Sequence, residues 1–390
     1  MQITNKFGTG EVVSMEEVLQ TTGRTGRIVA YCTSAACMSV TSDMKSWVSV
    51  NHSVDKIIFV TKNVAKNNNM IIVLGCQVTD LAILNSIRTA ERLHEENPTA
   101  EVYMGGCLAY RFDIELPPYV NRLATARSDY SPIDYNWANA IKWEKPFWVS
   151  DDSWKDSDSD FAEGHLFRNM YPLKIGAGCT CKCTYCTVNE TRGRGYEADA
   201  YLQVKEFLDH EDVVLISDNP TSKQIKDWCH IAERYNKHIS IRNIEPSVVC
   251  RCSDELRAIA KKGLLKIFHC PLQSLNEELL KIMGRDITDT SNAYLFMQEL
   301  RKYGVKIATN FITDYKVIVR NNTSGDEIKV YKNMDKDFFD RYFDYWSWNP
   351  YFDGKFSREE AEKRFDYYIN KNATNKNIGN NNNIVKELNN

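Results

Sequence analysis

A cysteine-rich stretch, Cys179-Thr-Cys-Lys-Cys183-Thr-Tyr-Cys186, follows the apolar run 173–178 and precedes Thr191-Arg-Gly-Arg-Gly195. Three of its cysteines, Cys179, Cys183 and Cys186, have the spacing C-x3-C-x2-C and place three thiolates on one short loop. Three cysteines on a [4Fe-4S] cluster leave one iron open to an outside ligand, whereas an electron carrier normally uses four. The stretch therefore predicts a cluster with an open coordination position.

Structural zinc and disulfides are the alternative uses of these cysteines. Zinc sites usually pair two C-x2-C knuckles or add histidines, and this loop has one such knuckle. Disulfide frameworks are typical of small secreted domains, and a chain of 390 residues without an apolar signal segment does not fit that class. Cys181 falls outside the three-ligand spacing, and we interpret it as a spare thiol.

Composition limits the partners of the chain. With 390 residues, 43% of them hydrophobic, it can bury a large core. The formal net charge of −3 lacks the basic excess expected of a protein whose main partner is a phosphate backbone. No apolar run is long enough for a membrane span. We expect a cytoplasmic protein, because there reduced thiols can accept iron and sulfide.

Residues 27–125 contain strand patterns that end close to cysteines. The strand patterns are Arg27–Cys32, Lys56–Thr61, Met70–Gly75 and Glu101–Met104, and a helical pattern covers Leu81–Glu96. This alternation predicts a small parallel α/β domain. Because the carboxyl ends of parallel strands meet at one edge, Cys37, Cys76 and Cys107 can share one metal centre. The alternative is that they are scattered core cysteines.

From Leu173 onward, strand and helix patterns alternate. The predicted strands are Leu173–Ala177, Asp212–Ser217, His238–Ile244, Lys266–Leu272 and Lys306–Ile312. The predicted helices are Asp199–Asp209, Ser222–Tyr235, Ser253–Lys262, Glu277–Met283 and Ser291–Tyr303. Such βαβ units predict a partial TIM-type (β/α)6 barrel, with the cysteine loop at the carboxyl end of the first strand, where barrel active sites lie.

The spacing of the cysteine loop is the signature of radical S-adenosylmethionine (SAM) enzymes, and over residues 27–315 the chain resembles their methylthiotransferase family. The matching motifs are Val73-Leu-Gly-Cys76, Gly105-Gly-Cys107-Leu-Ala-Tyr-Arg111, Thr191-Arg-Gly-Arg, Cys270-Pro-Leu-Gln273-Ser274 and Leu280-Lys-Ile-Met283-Gly-Arg285. The offset from Cys37 to Asp43 also fits the family, although Val40 replaces the family's Asn. Cys32 is the second choice for that ligand.

The resemblance implies two [4Fe-4S] clusters and SAM as cofactors. Cys179, Cys183 and Cys186 would hold the SAM-binding cluster, and Cys37, Cys76 and Cys107 an auxiliary cluster. The candidate SAM contacts are Tyr185, Asp218, Arg242 and Gln273.

The reaction that the resemblance implies is sulfur insertion. An electron from a donor such as flavodoxin or ferredoxin would cleave SAM to a 5'-deoxyadenosyl radical. That radical takes hydrogen from an unactivated C–H bond, and the auxiliary cluster delivers a methylthio group. The open alternatives are a radical SAM dehydrogenase or epimerase whose second cluster passes electrons, and a non-enzymatic two-cluster carrier.

Two departures from the family affect the expected pocket and substrate. After Phe311-Ile-Thr-Asp314 the family has a Gly-Phe-Pro-Gly-Glu-Thr turn, but this chain reads Tyr315-Lys-Val-Ile-Val-Arg320, so part of the SAM pocket is altered. The residues after 330 do not supply the family's RNA-binding β-barrel. We therefore expect a peptide or protein substrate, with tRNA still open because Arg192 and Arg194 could contact phosphate.

The carboxyl-terminal part contains an aromatic segment with Tyr342, Trp346, Trp348 and Tyr351. It predicts either a docking surface for an extended peptide or core packing for a helix over Ser357–Asn370. The expected organisation is a lead-in (1–26), the amino-terminal α/β domain (27–125), a tryptophan-rich connector (126–170), the barrel (171–330), the helical and aromatic segment (331–370) and a disordered Asn-rich tail (371–390).

Overall fold

The computed structural model describes residues 2–14, 17–18, 28–32, 57–60, 70–124, 167, 170–193, 195–319, 327–332 and 335–365. The chain divides into two compact units, the first formed by residues 1–181, 187–219 and 356–389 and the second by residues 182–186, 220–355 and 390. The predicted ligand Cys37, residues 126–166 of the connector and the Asn-rich tail lie outside the described residues. None of the described helices is long and apolar enough to cross a membrane.

The first unit contains a parallel five-stranded sheet. In chain order the strands of the first unit are β1 (Gln2–Asn5), β2 (Gly8–Glu11), β3 (Ile28–Cys32), β4 (Ile57–Val60), β5 (Met70–Gly75), β6 (Glu101–Gly106), β7 (Val120–Arg122), β8 (Tyr171–Lys174), β9 (Gly176–Ala177), β10 (Tyr196–Glu197) and β11 (Val213–Ile216). Its helices are α1 (Asp80–Glu96), α2 (Val188–Arg192) and α3 (Val204–Leu208), with 3-10 helices at Cys107–Tyr110 and Ala200–Gln203. The five strands have the order β4-β3-β5-β6-β7, and β8 pairs in parallel with β11.

Strand β5 explains why this sheet forms at this place in the chain. All six of its residues are buried, as a parallel strand covered on both faces requires. Helix α1 packs against it and begins at Thr79, whose hydroxyl accepts a hydrogen bond from the backbone N–H of Ala82. The predicted parallel α/β character of residues 27–125 is therefore confirmed.

The second unit is also built on parallel strands. Its strands are β12 (Ile239–Arg242), β13 (Leu265–His269), β14 (Lys306–Thr313), β15 (Tyr315–Val319), β16 (Glu327–Tyr331) and β17 (Tyr345–Pro350). Its helices are α4 (Ser222–Arg234), α5 (Pro246–Arg251), α6 (Ser253–Lys261), α7 (Glu277–Ile282), α8 (Ile287–Arg301) and α9 (Lys336–Tyr342). Strands β12, β13, β14 and β17 pair in parallel in that order, which confirms the α/β class. Helix α8 begins before the predicted Ser291 because the Asp286 carboxylate caps it by accepting from the N–H of Asp289.

The aromatic segment is largely part of the core of this unit. Strand β17 pairs with β14 along its whole length, and Phe339 and Phe343 of α9 and its end are buried against Phe311. Trp346 packs on Phe339 and donates its indole N–H to Asp340. These contacts favour core packing over a docking surface, but the packing partners are β14 and α9 and not the predicted helix over Ser357–Asn370.

The departure after Asp314 forms a β-hairpin. Strands β15 and β16 pair in antiparallel register from Tyr315 opposite Tyr331 to Val319 opposite Glu327. Tyr315 and Tyr331 are buried in a cluster with Leu279 and Met283 of the α7 region. The hairpin thus takes the place of the family's glycine- and proline-rich turn and packs beside α7.

Residues 358–365 are helical and lie along α1 within the first unit. The guanidinium of Arg358 binds both carboxylate oxygens of Glu91 at 2.6 and 2.9 Å, and Arg364 forms an ion pair with Asp80 at the start of α1. This contact fixes the carboxyl-terminal helix on the amino-terminal sheet layer, as far as residue 365.

Glu206, on α3, carries a buried carboxyl group. Burial raises the pKa of Glu206 to about 7, although the Tyr171 hydroxyl donates to the same carboxylate. Because the folded protein then holds this proton to a higher pH than the unfolded chain does, the free energy of unfolding falls as the pH rises between about 4.5 and 7.

Glu206→Gln keeps the shape of the side chain and removes the ionisation. We expect the variant to exceed the free energy of unfolding of the wild type by less than about 1 kcal/mol at pH 5 and by about 3 kcal/mol at pH 8. Denaturant unfolding at both pH values checks this. An equal offset between the two proteins at pH 5 and pH 8 would contradict it.

Candidate active site

Cys76 and Cys107 follow two neighbouring strands that end in register. Gly75, the last residue of β5, is paired with Gly106, the last residue of β6. Gly106 has φ +70°, and a Cβ there would lie 2.6 Å from the carbonyl oxygen of Gly75, so only glycine fits this close approach. The backbone therefore brings Cys76 and Cys107 side by side, as the parallel edge predicted.

The surroundings of Cys107 belong to the cysteine loop and its following segment. Burial raises the pKa of Cys107 to about 12; the charge of Arg192 opposes this rise, and the neighbouring Cys76 and Asp218 add to it. Cys107 also lies within hydrogen-bonding reach of Thr191. Helix α2, which carries Thr191 and Arg192, packs on the 3-10 helix that begins at Cys107. Cys107 thus lies next to the segment that follows the loop.

The first half of the cysteine loop is held by the end of β11. Gly178 has φ +76°, and a Cβ there would lie 2.5 Å from the backbone nitrogen of Gly195. The N–H of Gly178 donates to Asp218 Oδ2 at 2.7 Å, and the N–H of Cys179 donates to the carbonyl of Gly193 at 3.1 Å. These bonds fix the chain at the residue where the three-cysteine spacing begins.

Cys181 has a different set of contacts. Its N–H donates to Cys179 Sγ at 3.3 Å, and its own sulfur accepts from the Asn219 amide at 3.3 Å. Asn219 follows Asp218 at the end of β11, so the two neighbouring residues hold two points of the loop. The sequence did not reveal this role of Asn219, because it depends on a contact between segments 38 residues apart.

The second half of the loop, residues 182–186, is held by the turn after α7. The N–H of Thr184 donates to the carbonyl of Met283 at 3.0 Å. The Thr184 hydroxyl donates to the carbonyl of Ile282 at 2.9 Å. Gly284 has φ +71° and lies against the carbonyl of Lys182. The motif matched at Leu280–Arg285 therefore supplies the backbone groups that hold Thr184 and its neighbours.

Arg285 is the main polar anchor of Tyr185. Its guanidinium donates to the Tyr185 hydroxyl at 2.9 Å, forms an ion pair with Glu245 at 2.9 Å and donates to the carbonyl of Pro271 at 2.9 Å. The Arg285 side chain is 3% exposed. Tyr185 packs beside Leu279 and Met283. The sequence signalled Arg285 only as part of a motif, and its partner Glu245 was missed.

The structure places the predicted SAM contacts in both units. In the first, Asp218 accepts from Gly178 N–H and Arg192 Nε with the same oxygen, and these interactions lower its pKa against the effect of burial. In the second, Arg242 is buried at the end of β12, and Gln273 has φ +67°. Gln273 follows β13 in the chain, and its backbone forms hydrogen bonds with Asn310 and Ile312 of β14. Its left-handed backbone is a strained conformation typical of functional sites.

Arg192, which the sequence analysis considered for phosphate contact, is buried and paired with Asp218 at 3.0 Å. Arg194 and Cys37 lie outside the described residues, and only the backbone of Cys32 is described.

The cysteine loop fits an iron–sulfur cluster by the chemistry of its donors. Cys179, Cys183 and Cys186 are half-buried thiols, and the ten cysteines whose side chains the structure describes form no disulfide. Across the described ranges, no three His, Cys, Asp or Glu side chains already converge closely enough to hold a metal ion. Ligand convergence and metal uptake are coupled in such sites, because the thiolates assemble around the metal's charge.

Comparison with known proteins agrees with this site. The profile of the Radical SAM superfamily matches residues 173–317. Residues 173–317 therefore form a radical SAM domain. This domain implies SAM and one [4Fe-4S] cluster as cofactors.

The relatives lie among the methylthiotransferases. The chain is 25% identical over 238 residues to the ribosomal protein uS12 methylthiotransferase RimO of Aliarcobacter butzleri, covering 57% of this chain and 52% of that protein. It is 24% identical over 280 residues to RimO of Carboxydothermus hydrogenoformans, covering 64% and 61%. The chain thus spans about half to three fifths of the length of these relatives. The solved radical SAM methyltransferase TsrM of Kitasatospora setae is 10% identical, with a TM-score of 0.43 over 74% of this chain and 68% of that one.

The anchor of Tyr185 can be tested by a double-mutant cycle. Arg285→Met leaves the Glu245 carboxylate and the Tyr185 hydroxyl without their cation, so we expect the free energy of unfolding to fall by about 3 kcal/mol. Adding Glu245→Gln removes the uncompensated charge and should recover a large part of that loss. Strictly additive effects of the two substitutions, measured by denaturant unfolding, would contradict the anchor.

Proposed function

We propose that this protein inserts sulfur, as a methylthio group, into an unactivated C–H bond of a peptide or protein segment. The observation that carries the proposal is the placement of Cys76 and Cys107 side by side against α2, the helix that follows the three-cysteine loop. Sulfur insertion needs a sulfur source close to the substrate radical, and a second thiol-ligated cluster beside the loop would provide one.

The proposal assigns two sets of ligands. Cys179, Cys183 and Cys186 hold the SAM-binding [4Fe-4S] cluster. Cys76 and Cys107, with Cys37 as the third ligand, hold the auxiliary [4Fe-4S] cluster. When bound, the first cluster and SAM supply a carbon radical that removes a hydrogen atom from the substrate, and the auxiliary cluster supplies the sulfur.

The residues of this chain orient these groups and exclude water. Tyr185 is held by Arg285, so the backbone beside it can present a fixed surface to the adenine of SAM. Arg242 and Gln273 lie at the carboxyl ends of β12 and β13 and offer polar groups to the rest of SAM. Asp218 already uses one oxygen to hold Gly178 and Arg192, so its part in SAM binding is to fix the loop.

A peptide or protein substrate is favoured over RNA. The relatives reported above are named for the modification of a ribosomal protein, uS12. The net charge of −3 shows no basic excess, and Arg192 is buried in an ion pair, so neither feature favours contact with a phosphate backbone. As part of the same proposal, the protein works in the cytoplasm and receives electrons from a flavodoxin or a ferredoxin, because its cluster thiols must stay reduced.

Isotope labelling tests the proposal directly. Cells that express the protein are fed methionine with a deuterated methyl group, and their proteins and tRNA are digested separately for mass spectrometry. We expect a peptide in which one hydrogen is replaced by a methylthio group carrying the label, because SAM supplies that methyl. The double variant Cys76→Ala/Cys107→Ala should lose this product and still cleave SAM in vitro.

The other reactions leave different products in the same experiment. A labelled methylthio nucleoside in the tRNA digest, with unmodified protein, would overturn the peptide substrate. A peptide that has lost two hydrogens would indicate a dehydrogenase. A peptide that exchanges one hydrogen with solvent at unchanged composition would indicate an epimerase. Either of the last two results would overturn sulfur insertion.

A further inference from the structure

Helix α2 contacts the surroundings of both proposed clusters. It begins two residues after Cys186 and is five residues long. One of its faces packs on the 3-10 helix Cys107–Tyr110. Its last residue, Arg192, reaches the carboxylate that holds Gly178, the residue before Cys179. The same short element therefore lies between the auxiliary cysteines and the start of the cysteine loop.

Gln77 joins α2 to the auxiliary side. This residue follows Cys76 and is 5% exposed. Its amide nitrogen donates to the hydroxyls of Thr187 at 2.9 Å and Thr191 at 3.0 Å, one on each side of the first turn of α2. Thr191 in turn donates to the carbonyl of Thr187 at 3.2 Å. The amide of Gln77 thus fixes the register of α2 relative to Cys76.

Arg192 joins α2 to the SAM side. Its side chain is 3% exposed, and its Nε donates to Asp218 Oδ2 at 3.0 Å. The same oxygen accepts the N–H of Gly178 at 2.7 Å. The Asp218 carboxylate therefore holds a cation and a backbone N–H at the same time. Movement of Arg192 would leave this carboxylate without its cation, which is unfavourable.

We propose that α2 is the positioning element that fixes the auxiliary cluster relative to the SAM-binding cluster, with Gln77 and Arg192 as its positioning residues. The inference rests on the proposed function, because it requires two clusters. It adds that the helix between them, and not the cluster ligands alone, sets the reach from the sulfur source to the substrate radical. Arg192 also places its positive charge beside Cys107 and so raises the reduction potential of the auxiliary cluster.

Variants of Arg192 separate charge from packing. Arg192→Met removes the cation and leaves the Asp218 carboxylate next to the auxiliary site, so the reduction potential of that cluster should become more negative. Arg192→Lys keeps the charge and should restore most of the potential. Arg257→Met is the matched control, because Arg257 pairs with Glu299 at 2.6 Å on the surface of α6, outside both sites.

The potential is measured on the full chain, reconstituted anaerobically with iron and sulfide. Each substitution is combined with Cys179→Ala/Cys183→Ala/Cys186→Ala, so that the auxiliary cluster is the one observed in a redox titration followed by electron paramagnetic resonance. A negative shift in Arg192→Met, little shift in Arg192→Lys and none in Arg257→Met is the expected pattern. Equal potentials in all three would overturn the role of Arg192.

Coupling between radical formation and sulfur transfer gives the second readout. Gln77→Leu leaves the Thr187 and Thr191 hydroxyls without their shared donor and loosens the register of α2. With the loop cysteines intact, we expect SAM cleavage to continue while the ratio of 5'-deoxyadenosine to sulfur-containing product rises by up to about a hundredfold, since a misplacement near 1 Å can cost that much. An unchanged ratio in Gln77→Leu would overturn the role of Gln77.

The outcomes also distinguish this inference from the proposed function. If Arg192→Met does not assemble iron, Gln77→Leu still decides it through the ratio. A wild type with two clusters and no sulfur-containing product overturns the proposed function alone, because the potential shift is measured without product. A wild type with one cluster overturns both.

Discussion

The carboxylate of Asp218 is the interaction on which the proposed site depends. One buried oxygen accepts the N–H of Gly178 and the guanidinium of Arg192, so the start of the cysteine loop and the end of α2 are tied to the same point of β11. Loss of Arg192 would leave this carboxylate, which is 14% exposed, without its cation, so the ion pair holds the two segments together. The placement of Cys179 and the environment of Cys107 both follow from this one group.

The two halves of the cysteine loop are held by different devices. Residues before Cys181 are fixed by β11 through Asp218 and Asn219. Residues 182–186 are fixed by the turn after α7, where Arg285 holds Tyr185 and Thr184 bonds to the backbone. Each half therefore draws on its own polar network within the protein. This is the preorganisation that a cofactor-driven reaction requires of the protein.

Much of this arrangement could be predicted from local sequence. The apolar run of β5 and the glycines before Cys76 and Cys107 contain, within a few residues, the reasons for a parallel edge with two cysteines. The contacts of Gln77 with Thr187 and Thr191 could not be predicted, because they join segments 110 and 114 residues apart. Strand β17 was missed for a similar reason: its aromatic residues fit a strand, a helix or a docking surface equally well until β14 supplies the partner. The role of Cys37 stays a prediction.

The central claim is that two cysteine sets hold two clusters close to one another. Iron analysis with electron paramagnetic resonance of the reduced, anaerobically reconstituted protein tests it most directly. We expect the wild type to hold twice the iron of Cys179→Ala/Cys183→Ala/Cys186→Ala. Its spectrum should show magnetic interaction between two clusters, and this interaction should disappear in the variant. The same iron content in wild type as in Cys76→Ala/Cys107→Ala, with identical spectra, would contradict it.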